Sequence, residues 1–366
     1  MLANQELREY ELSSLQPRKR YIEIKLKSHD IHMKLDVPDY GVVPRHTPIP
    51  SSSQVLQTHT EFKKLLEPGL AQDDSFYKRC AAEVNVINIF FPNVESPSIR
   101  ICFTAWLVFV ISMDDILETL PPHDGEVALL DSIHIMRSLP ESERTGASTD
   151  TRIQGLTRVL YRHCSHWLSE KVAESFFEAA CEVFRAHINE LLFLQGHIPN
   201  DLSTYMGIRV RTIALNPFFD IIKSEFLPED SRFNAVWDKL QKEVCRAAGL
   251  QNDLIGLERD LENGERLNAV IVLMASENDQ LREPSEELLT RYIEQVTTEH
   301  NQSTAQAMDL VAQINEEIGT TYSKEVAETA RHIVLLCETH LKWCMNAKRY
   351  HMKTEDDASA PSANQP

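Results

Sequence analysis

The spacing of apolar residues divides the chain into a short N-terminal part and a long helical part. Apolar and polar residues alternate over 21–27 and again over 31–37, which is typical of a small β-hairpin or equally of an extended arm. Prolines at positions 38, 44, 48 and 50 then predict a linker without helix. From about Thr58 the apolar residues follow helical spacing. The sequence therefore predicts an N-terminal arm over 1–58 and a helical domain over 59–351.

Helical spacing recurs in segments that Pro, Gly or Asn/Asp clusters separate. The segments lie near residues 58–68, 74–91, 98–119, 125–137, 151–168, 171–195, 201–226, 232–264, 266–277, 284–318 and 322–350. Strands do not alternate with crossover helices in this part, so the pattern favours one all-α domain. The polar stretch 352–366 is predicted to be a disordered tail.

The composition narrows the classes of function without choosing one. The chain has 366 residues, of which 42% are hydrophobic, and a formal net charge of −18. We do not expect so acidic a chain to bind nucleic acid or an anionic membrane, because both attract basic surfaces. Glycine is scarce, with 11 residues, which disfavours a loop-rich α/β nucleotide-binding fold.

The sequence also lacks a pattern that predicts export or a membrane span. Its first residues have no apolar core of signal-peptide length, and its longest apolar stretch, near 101–113, is too short to span a bilayer comfortably. The seven cysteines include no Cys-x-x-Cys pair, and most lie in apolar helical surroundings. This pattern indicates buried thiols in a reducing compartment, so we expect a cytoplasmic protein.

A short acidic motif ends the most apolar of the predicted helices. Asp114 and Glu118 are four residues apart, so on a helix their side chains leave the same face, with Asp115 beside them. Phe103 and Trp106 fall on roughly that face a few turns earlier. Such carboxylates suit Mg²⁺, which is usually held by one or two carboxylates and the phosphates of a substrate. In so acidic a chain the same pattern also arises by chance on a solvated helix face.

A second polar line lies on a later predicted helix. Asn252, Gly256 and Asp260 are spaced four residues apart and therefore share one face. Together the two motifs resemble those of class I terpene synthases, in particular the microbial type with a single α-helical domain. In that family a DDxx(D/E) motif and an Asn-Asp-x-x-Ser-x-x-x-Glu motif face each other across a central apolar pocket and bind Mg²⁺.

The resemblance implies a set of metal ligands, although the second motif departs from the family at two positions. Gly256 stands where the family has Ser or Thr, which removes one ligand, and a water molecule could fill that place. Asp260 replaces Glu, which keeps the carboxylate but shortens its reach. The resemblance implies three Mg²⁺ ions, held at the following positions: Asp114, Asp115, Glu118, Asn252, Gly256 and Asp260.

Further residues match the family's diphosphate-binding elements. Arg259 takes the place of the basic residue beside the final acid of the second motif. Near the end of the helical part, Trp343, Arg349 and Tyr350 resemble the family's Trp…Arg-Tyr element, whose Arg and Tyr bind diphosphate oxygens.

A fourth match lies upstream of the second metal motif, where the family carries its diphosphate-sensing arginine. Arg209 is our choice for this residue, with Arg211 as the alternative. The planar guanidinium can bind two phosphate oxygens at once, which Lys cannot do. The family often has Gly in the helix break that follows, and here Ala214 or a neighbour fills that position.

The resemblance implies an enzyme that ionises an acyclic isoprenyl diphosphate and cyclises the carbocation. The size of the chain is most similar to that of fungal sesquiterpene synthases, whose substrate is farnesyl diphosphate, and geranyl and geranylgeranyl diphosphate stay open as alternatives. The implied catalytic residues are Asp114, Arg209, Arg349 and Tyr350. Phe103 and Trp106 would line the pocket and bind the substrate, because aromatic faces stabilise cations. The expected partner is this small molecule, and we expect a monomer or homodimer.

Two other functions stay open. A chain-elongating prenyltransferase would need a second Asp-rich DDxxD motif, and residues 252–256 do not supply one. A non-catalytic helical protein, either a relic that binds prenyl diphosphates or a scaffold, stays open because Gly256 removes a metal ligand. The presence of the other motif residues argues against a non-catalytic protein, because a relic should have lost several of them.

Overall fold

A helical body and a small β-hairpin make up the described part of the chain. The computed structural model describes residues 17–26, 31–40, 53–138, 152–228, 235–277, 285–317 and 323–347. These ranges contain the strands β1 (Arg18–Leu26) and β2 (Ile31–Asp39) and the helices α1 (Ser53–Leu66), α2 (Asp74–Phe90), α3 (Pro97–Leu117), α4 (Pro122–Ser138), α5 (Arg152–Trp167), α6 (Glu170–Leu194), α7 (Leu202–Thr212), α8 (Asn216–Phe226), α9 (Ala235–Asn263), α10 (Ala269–Glu277), α11 (Glu286–Glu317), α12 (Ser323–Val334) and α13 (Leu336–Asn346). The prediction of an all-α class is confirmed.

The hairpin packs on the helical body. β1 and β2 pair antiparallel, with Ile24 opposite Met33. The alternating apolar side chains of this face are buried, and β2 lies against α11 and α13. An ion pair between Arg20 and Glu338 also ties β1 to α13. The boundary at residues 58–59 that we drew between arm and helical domain stays a prediction, although α1 already begins at Ser53, where Val55 packs into a small buried cluster.

The two helices that carry the acidic motifs have buried surroundings. Residues 99–109 of α3 are buried without interruption, which the apolar run in the sequence predicts. α3 packs against α1, α2 and α5. α9 is 29 residues long and packs against α7, α10, α11 and α13. Both helices are therefore held by packing on several sides.

Two segments predicted as single helices each consist of two. Residues 201–226 form α7 and α8, and Ala214 between them has a positive φ of 59°. Residues 322–350 contain α12 and α13, interrupted at Leu335. The helical spacing of apolar residues continues through both interruptions, so this spacing alone does not predict them.

The buried thiols that the cysteine pattern predicts are present in the structure. All seven cysteines are buried and have free thiols. Among the described residues, no helix combines the length and the apolar character that a membrane crossing requires.

Candidate active site

The first acidic motif lies at the C-terminal end of α3. Asp114 is partly buried, whereas Asp115 and Glu118 are exposed. The backbone N–H of Glu118 donates to the carbonyl of Asp114 at 3.1 Å, so the two residues stay one turn apart on one face. Partial desolvation, followed by the charges of Asp114, Glu265 and Asp115, raises the pKa of the Glu118 carboxyl. The negative charge that collects here would be neutralised by a divalent cation.

The second motif lies on α9, where Asn252 is partly buried and Gly256 and Asp260 are buried. Arg259 donates to Oδ1 of Asp260 through Nη2 (2.6 Å) and Nε (3.1 Å). Asn268 donates to the other oxygen, Oδ2, at 2.9 Å. Both oxygens of Asp260 therefore have a donor, and a metal ion would have to share this carboxylate with Arg259 or displace it.

Arg259 also connects the two motifs electrostatically. Its positive charge lowers the pKa of Glu118 against the larger effects that raise it. Glu265, which follows α9 by two residues, acts on the same carboxyl. Side chains at the ends of α3 and α9 are therefore close enough to interact electrostatically.

The side chains at these two helix ends fit Mg²⁺ in their chemistry. Mg²⁺ takes oxygen ligands, and both helix ends carry side chains with carboxylate or amide oxygens. Gly256 supplies no ligand. The oxygen donors at the two ends are Asp114, Asp115, Glu118, Asn252 and Asp260.

Arg209 on α7 is held against the second motif by Asp253. Its Nη2 lies 2.9 Å and its Nε 3.1 Å from Oδ1 of Asp253. The Tyr205 hydroxyl and the backbone N–H of Ala269 donate to Oδ2 of the same carboxylate, at 2.9 and 3.0 Å. A Cβ on Gly249 would lie 3.1 Å from Cγ of Arg209, so Gly249 lets the arginine stem pass close to α9. The guanidinium is thus oriented by a buried carboxylate one residue after Asn252.

The two arginines of α7 that the sequence offers as diphosphate sensors differ in their partners, because Arg209 pairs with Asp253 on α9 and Arg211 bonds within its own helix. Arg211 is exposed and donates to the carbonyl of Gly207 in its own helix, at 3.0 Å. The helix break that follows lies at Ala214, whose φ is in the left-handed region that favours Gly. The break is therefore at the position that the resemblance indicated.

Phe103 and Trp106 have no exposed surface. Phe103 contacts Phe218 with ring centroids 5.0 Å apart, and Trp106 stacks on Phe109 at 5.6 Å. The indole N–H of Trp106 donates to the carbonyl of Ala214 at 2.8 Å. Both rings are thus packed in the core, and Trp106 also holds the helix break; their role in binding substrate stays a prediction.

Near the C-terminus the structure describes only the start of the Trp…Arg-Tyr element. Trp343 contacts Phe90 edge to face, with centroids 5.3 Å apart. Arg349 and Tyr350 lie outside the described residues.

The sequence analysis missed several residues that the structure places near the motifs. No sequence pattern singles out Asn268, and the second motif contains Asp253 without indicating its role. On α6, His187 and Glu190 form a buried pair, with Nδ1 of His187 2.9 Å from Oε2 of Glu190. Burial lowers the pKa of His187, but the Glu190 carboxylate and Asp114 more than offset this and raise it. The spacing of three residues on one helix was the available signal.

A cavity of about 700 Å³ lies elsewhere, between β2 and α11. Ile31, Met33 and Ile293 are among the residues that line it, and none of the predicted site residues does. It is therefore separate from the acidic motifs.

The part of the chain that contains the two motifs matches the model of a known protein family. The model of terpene synthase family 2, C-terminal metal binding, matches residues 105–295, which is more than half of the chain. The chain belongs to this terpene synthase family. The matched span contains both acidic motifs and Arg209, and the family assignment supports a lyase. Comparison with curated protein sequences finds no match.

Solved structures of bacterial class I terpene synthases share the fold. The linalool/nerolidol synthase from Streptomyces clavuligerus, in complex with 2-fluorogeranyl diphosphate, has a TM-score of 0.61 and 14% identity, over 82% of this chain and 96% of that one. The 2-methylisoborneol synthase from Streptomyces coelicolor A3(2), in complex with Mg²⁺ and 2-fluoroneryl diphosphate, has a TM-score of 0.61 and 15% identity, over 85% and 98%. A single-substitution variant of cucumene synthase has a TM-score of 0.62 and 16% identity, over 82% and 97%. The class I terpene synthase fold predicted from the motifs is thereby confirmed.

Proposed function

We propose that this member of the terpene synthase family is a Mg²⁺-dependent cyclase of farnesyl diphosphate. It would ionise the C–O bond to the diphosphate, cyclise the carbocation to a sesquiterpene and release diphosphate, as a carbon–oxygen lyase. The observation that carries the proposal is the electrostatic coupling of two oxygen-rich helix ends, α3 and α9, because Arg259 pairs with Asp260 and also acts on Glu118. The Mg²⁺ and prenyl diphosphate analogues bound to its structural neighbours support the same chemistry.

The proposed metal site takes ligands from both helix ends and holds three Mg²⁺ ions. Bound there, Mg²⁺ would stabilise the negative charge that develops on the leaving diphosphate. Asp114, partly buried and one turn from Glu118, is the residue we expect to matter most. The proposed ligands are Asp114, Asp115, Glu118, Asn252 and Asp260.

Four side chains are proposed to bind the diphosphate oxygens: Arg209, Arg259, Arg349 and Tyr350. Arg209 and Arg259 are each paired with a carboxylate of α9, Asp253 and Asp260 respectively. These pairs would orient the guanidinium groups before substrate arrives, so that less ordering is needed at the moment of reaction. Asp253 is therefore a supporting partner of Arg209.

The carbocation would be kept away from water by the apolar side of the site. Phe103 and Trp106 belong to a buried aromatic cluster that borders α3 and the break before α8. Aromatic faces stabilise a nearby cation by about 0.5–2 kcal/mol.

Gly256 is the observation that favours the second candidate, a non-catalytic protein that binds prenyl diphosphates. It removes one ligand of the second motif, while the carboxylates of both motifs are present.

We also expect the cyclase to be cytoplasmic and monomeric or homodimeric, both of which stay predictions.

The test is incubation of the purified chain with farnesyl, geranyl and geranylgeranyl diphosphate, each with Mg²⁺ and with EDTA. Extracts would be analysed by gas chromatography–mass spectrometry. We expect a cyclic fifteen-carbon product from farnesyl diphosphate that EDTA abolishes. A larger yield from geranyl or geranylgeranyl diphosphate would show that this compound, and not farnesyl diphosphate, is the preferred substrate. No product from any of the three would favour the non-catalytic candidate.

A further inference from the structure

A line of hydrogen bonds runs from the N-terminal hairpin to the metal-binding helix α9. It begins at Asn301 on α11, whose Oδ1 accepts from the backbone N–H of Asp36 at 2.8 Å. Nδ2 of Asn301 donates to the carbonyl of Lys34 at 3.0 Å. A backbone N–H can only donate and a carbonyl can only accept, so these bonds fix the orientation of the Asn301 amide.

The fixed amide determines the tautomer of His300. Nδ1 of His300 lies 2.9 Å from the same Oδ1 of Asn301 and must therefore carry a proton. The ring is neutral, because burial lowers the pKa of His300 to about 4. Its Nε2 is then an acceptor, and it receives a hydrogen bond from Nε2 of Gln251 on α9, at 3.0 Å.

Gln251 connects these hydrogen bonds to the C-terminal helix α13. Its Nε2 also donates to the carbonyl of Cys337 at 2.7 Å, which fixes which end of the amide is nitrogen. Its Oε1 therefore accepts from Nδ1 of His340, at 2.9 Å. The remaining nitrogen of His340 lies 3.6 Å from Sγ of Cys344. Burial lowers the pKa of His340 to about 3, so this ring is neutral as well.

Gln251 is next to Asn252 on α9, so the hydrogen bonds of Gln251 affect the orientation of Asn252. Successive residues of an α-helix are about 100° apart, so Gln251 and Asp253 point in nearly opposite directions. Gln251 is fixed to α11 and α13, while Asp253 is fixed to α7 and α10 through Arg209 and Ala269. Asn252 lies between them and faces a third direction. Two opposed, buried attachments therefore set the rotation of α9 at Asn252.

We propose that Gln251 is a positioning residue of the metal site, which holds Asn252 in place by anchoring α9 to α11, α13 and the N-terminal hairpin. This role rests on the proposed function, because it assumes that Asn252 binds the metal. Replacing Gln251 by an apolar side chain would remove the hydrogen-bond partner of two buried ring nitrogens, Nε2 of His300 and Nδ1 of His340. Small rotations of α9 that relieve this cost would move Asn252.

The experiment is isothermal titration calorimetry of Mg²⁺ into the full chain in the presence of inorganic diphosphate. Gln251→Leu should weaken Mg²⁺ binding about tenfold, which corresponds to about 1.4 kcal/mol. His340→Leu, which removes one donor of the line, should also weaken it, whereas His340→Asn keeps a donor near the Nδ1 position and should bind nearly as the wild type does. This rescue keeps the test informative if Gln251→Leu does not fold.

Gln154→Leu is the matched control, because Gln154 is equally a buried glutamine but lies on α5 and bonds to Asp131. It should lower the midpoint of thermal unfolding without changing the affinity for Mg²⁺. Wild-type affinity in Gln251→Leu and His340→Leu, or an equal loss in Gln154→Leu, would overturn the positioning role. If the wild-type chain itself binds no Mg²⁺ with diphosphate, it is the proposed function that fails.

Discussion

At the scale of single residues, the candidate site differs from the family pattern mainly at Gly256. The sequence could indicate the carboxylates, because their spacing puts them on one helix face, and it indicated Arg209 through the resemblance to class I terpene synthases. It could not indicate that Asp260 is bonded to both Arg259 and Asn268, or that Asp253 orients Arg209, since those partners come from chain folding. Single side chains therefore set both the charge of the site and the partners that a metal must displace.

Gly256→Ser is expected to strengthen Mg²⁺ binding, because the hydroxyl supplies the oxygen ligand that the second motif lacks. We expect the Mg²⁺ concentration for half-maximal turnover to fall by about threefold to tenfold, the latter being worth about 1.4 kcal/mol. The helix itself should gain about 0.5 kcal/mol, because Ser is a better helix former than Gly.

The control for this variant is Gly155→Ser, at an exposed position on α5 with open space around it. It should give a similar gain in helix stability and leave the Mg²⁺ dependence as it is. An unchanged Mg²⁺ requirement in Gly256→Ser would show that this position does not contact the metal.

At the scale of elements, apolar spacing predicted the helices of the described residues but not the interruptions within them. The break between α7 and α8 depends on a contact from a distant helix, the hydrogen bond from Trp106 on α3 to the carbonyl of Ala214. A pattern read along one segment contains no information about such a contact. The break matters for function, because it ends the helix that carries Arg209 at Thr212, less than one turn after the arginine.

Ala214→Gly should stabilise the fold, although Ala→Gly changes in helices destabilise. Ala214 has a φ of 59°, and a non-glycine residue in this region costs about 1–2 kcal/mol. Glycine loses about 0.5–1 kcal/mol more conformational freedom on folding, so the net gain should be roughly 0.5–1 kcal/mol. Urea denaturation would measure it.

Ala82→Gly, at an exposed position in the middle of α2, should lose about 1 kcal/mol in the same experiment. The opposite signs of the two Ala→Gly changes are the expected result. A loss of stability in Ala214→Gly would mean that the break does not strain this residue.

At the scale of the whole molecule, the helical body encloses several histidines that cannot ionise without cost. Burial lowers the pKa of His163, His300 and His332 to about 4 and that of His340 to about 3. His187 is the exception, because its pairing with Glu190 raises its pKa. The sequence could not distinguish these histidines from exposed ones.

Stability should therefore decrease as the pH falls from about 6.5 towards 4. In this window the unfolded chain binds protons at these histidines and the folded chain does not, so protonation favours unfolding. Each such histidine contributes up to about 1.4 kcal/mol per pH unit. His187 acts in the opposite sense, since its contribution is present below about pH 6.5 and is lost as the pH rises through its raised pKa.

Urea denaturation at pH 7 and pH 5 would measure the change in the free energy of unfolding. The glutamine in His163→Gln stays neutral at both pH values. This variant should therefore show a smaller difference between the free energies of unfolding at pH 7 and pH 5, by the amount that one buried histidine contributes. Equal free energies at pH 5 and pH 7 would contradict the account of the buried histidines.

If the acidic end of α3 takes part in ionising an isoprenyl diphosphate, loss of the Asp114 carboxylate should slow the release of diphosphate. The most direct measurement is the rate of diphosphate release from farnesyl diphosphate, with saturating Mg²⁺, by the wild type, Asp114→Asn and Asp309→Asn. Asp309 is an exposed aspartate on α11 and controls for the loss of one negative charge. We expect Asp114→Asn to reduce the rate at least about a hundredfold, on the order of 3 kcal/mol of transition-state stabilisation, and Asp309→Asn to leave it unchanged. Equal rates in all three proteins would contradict the claim.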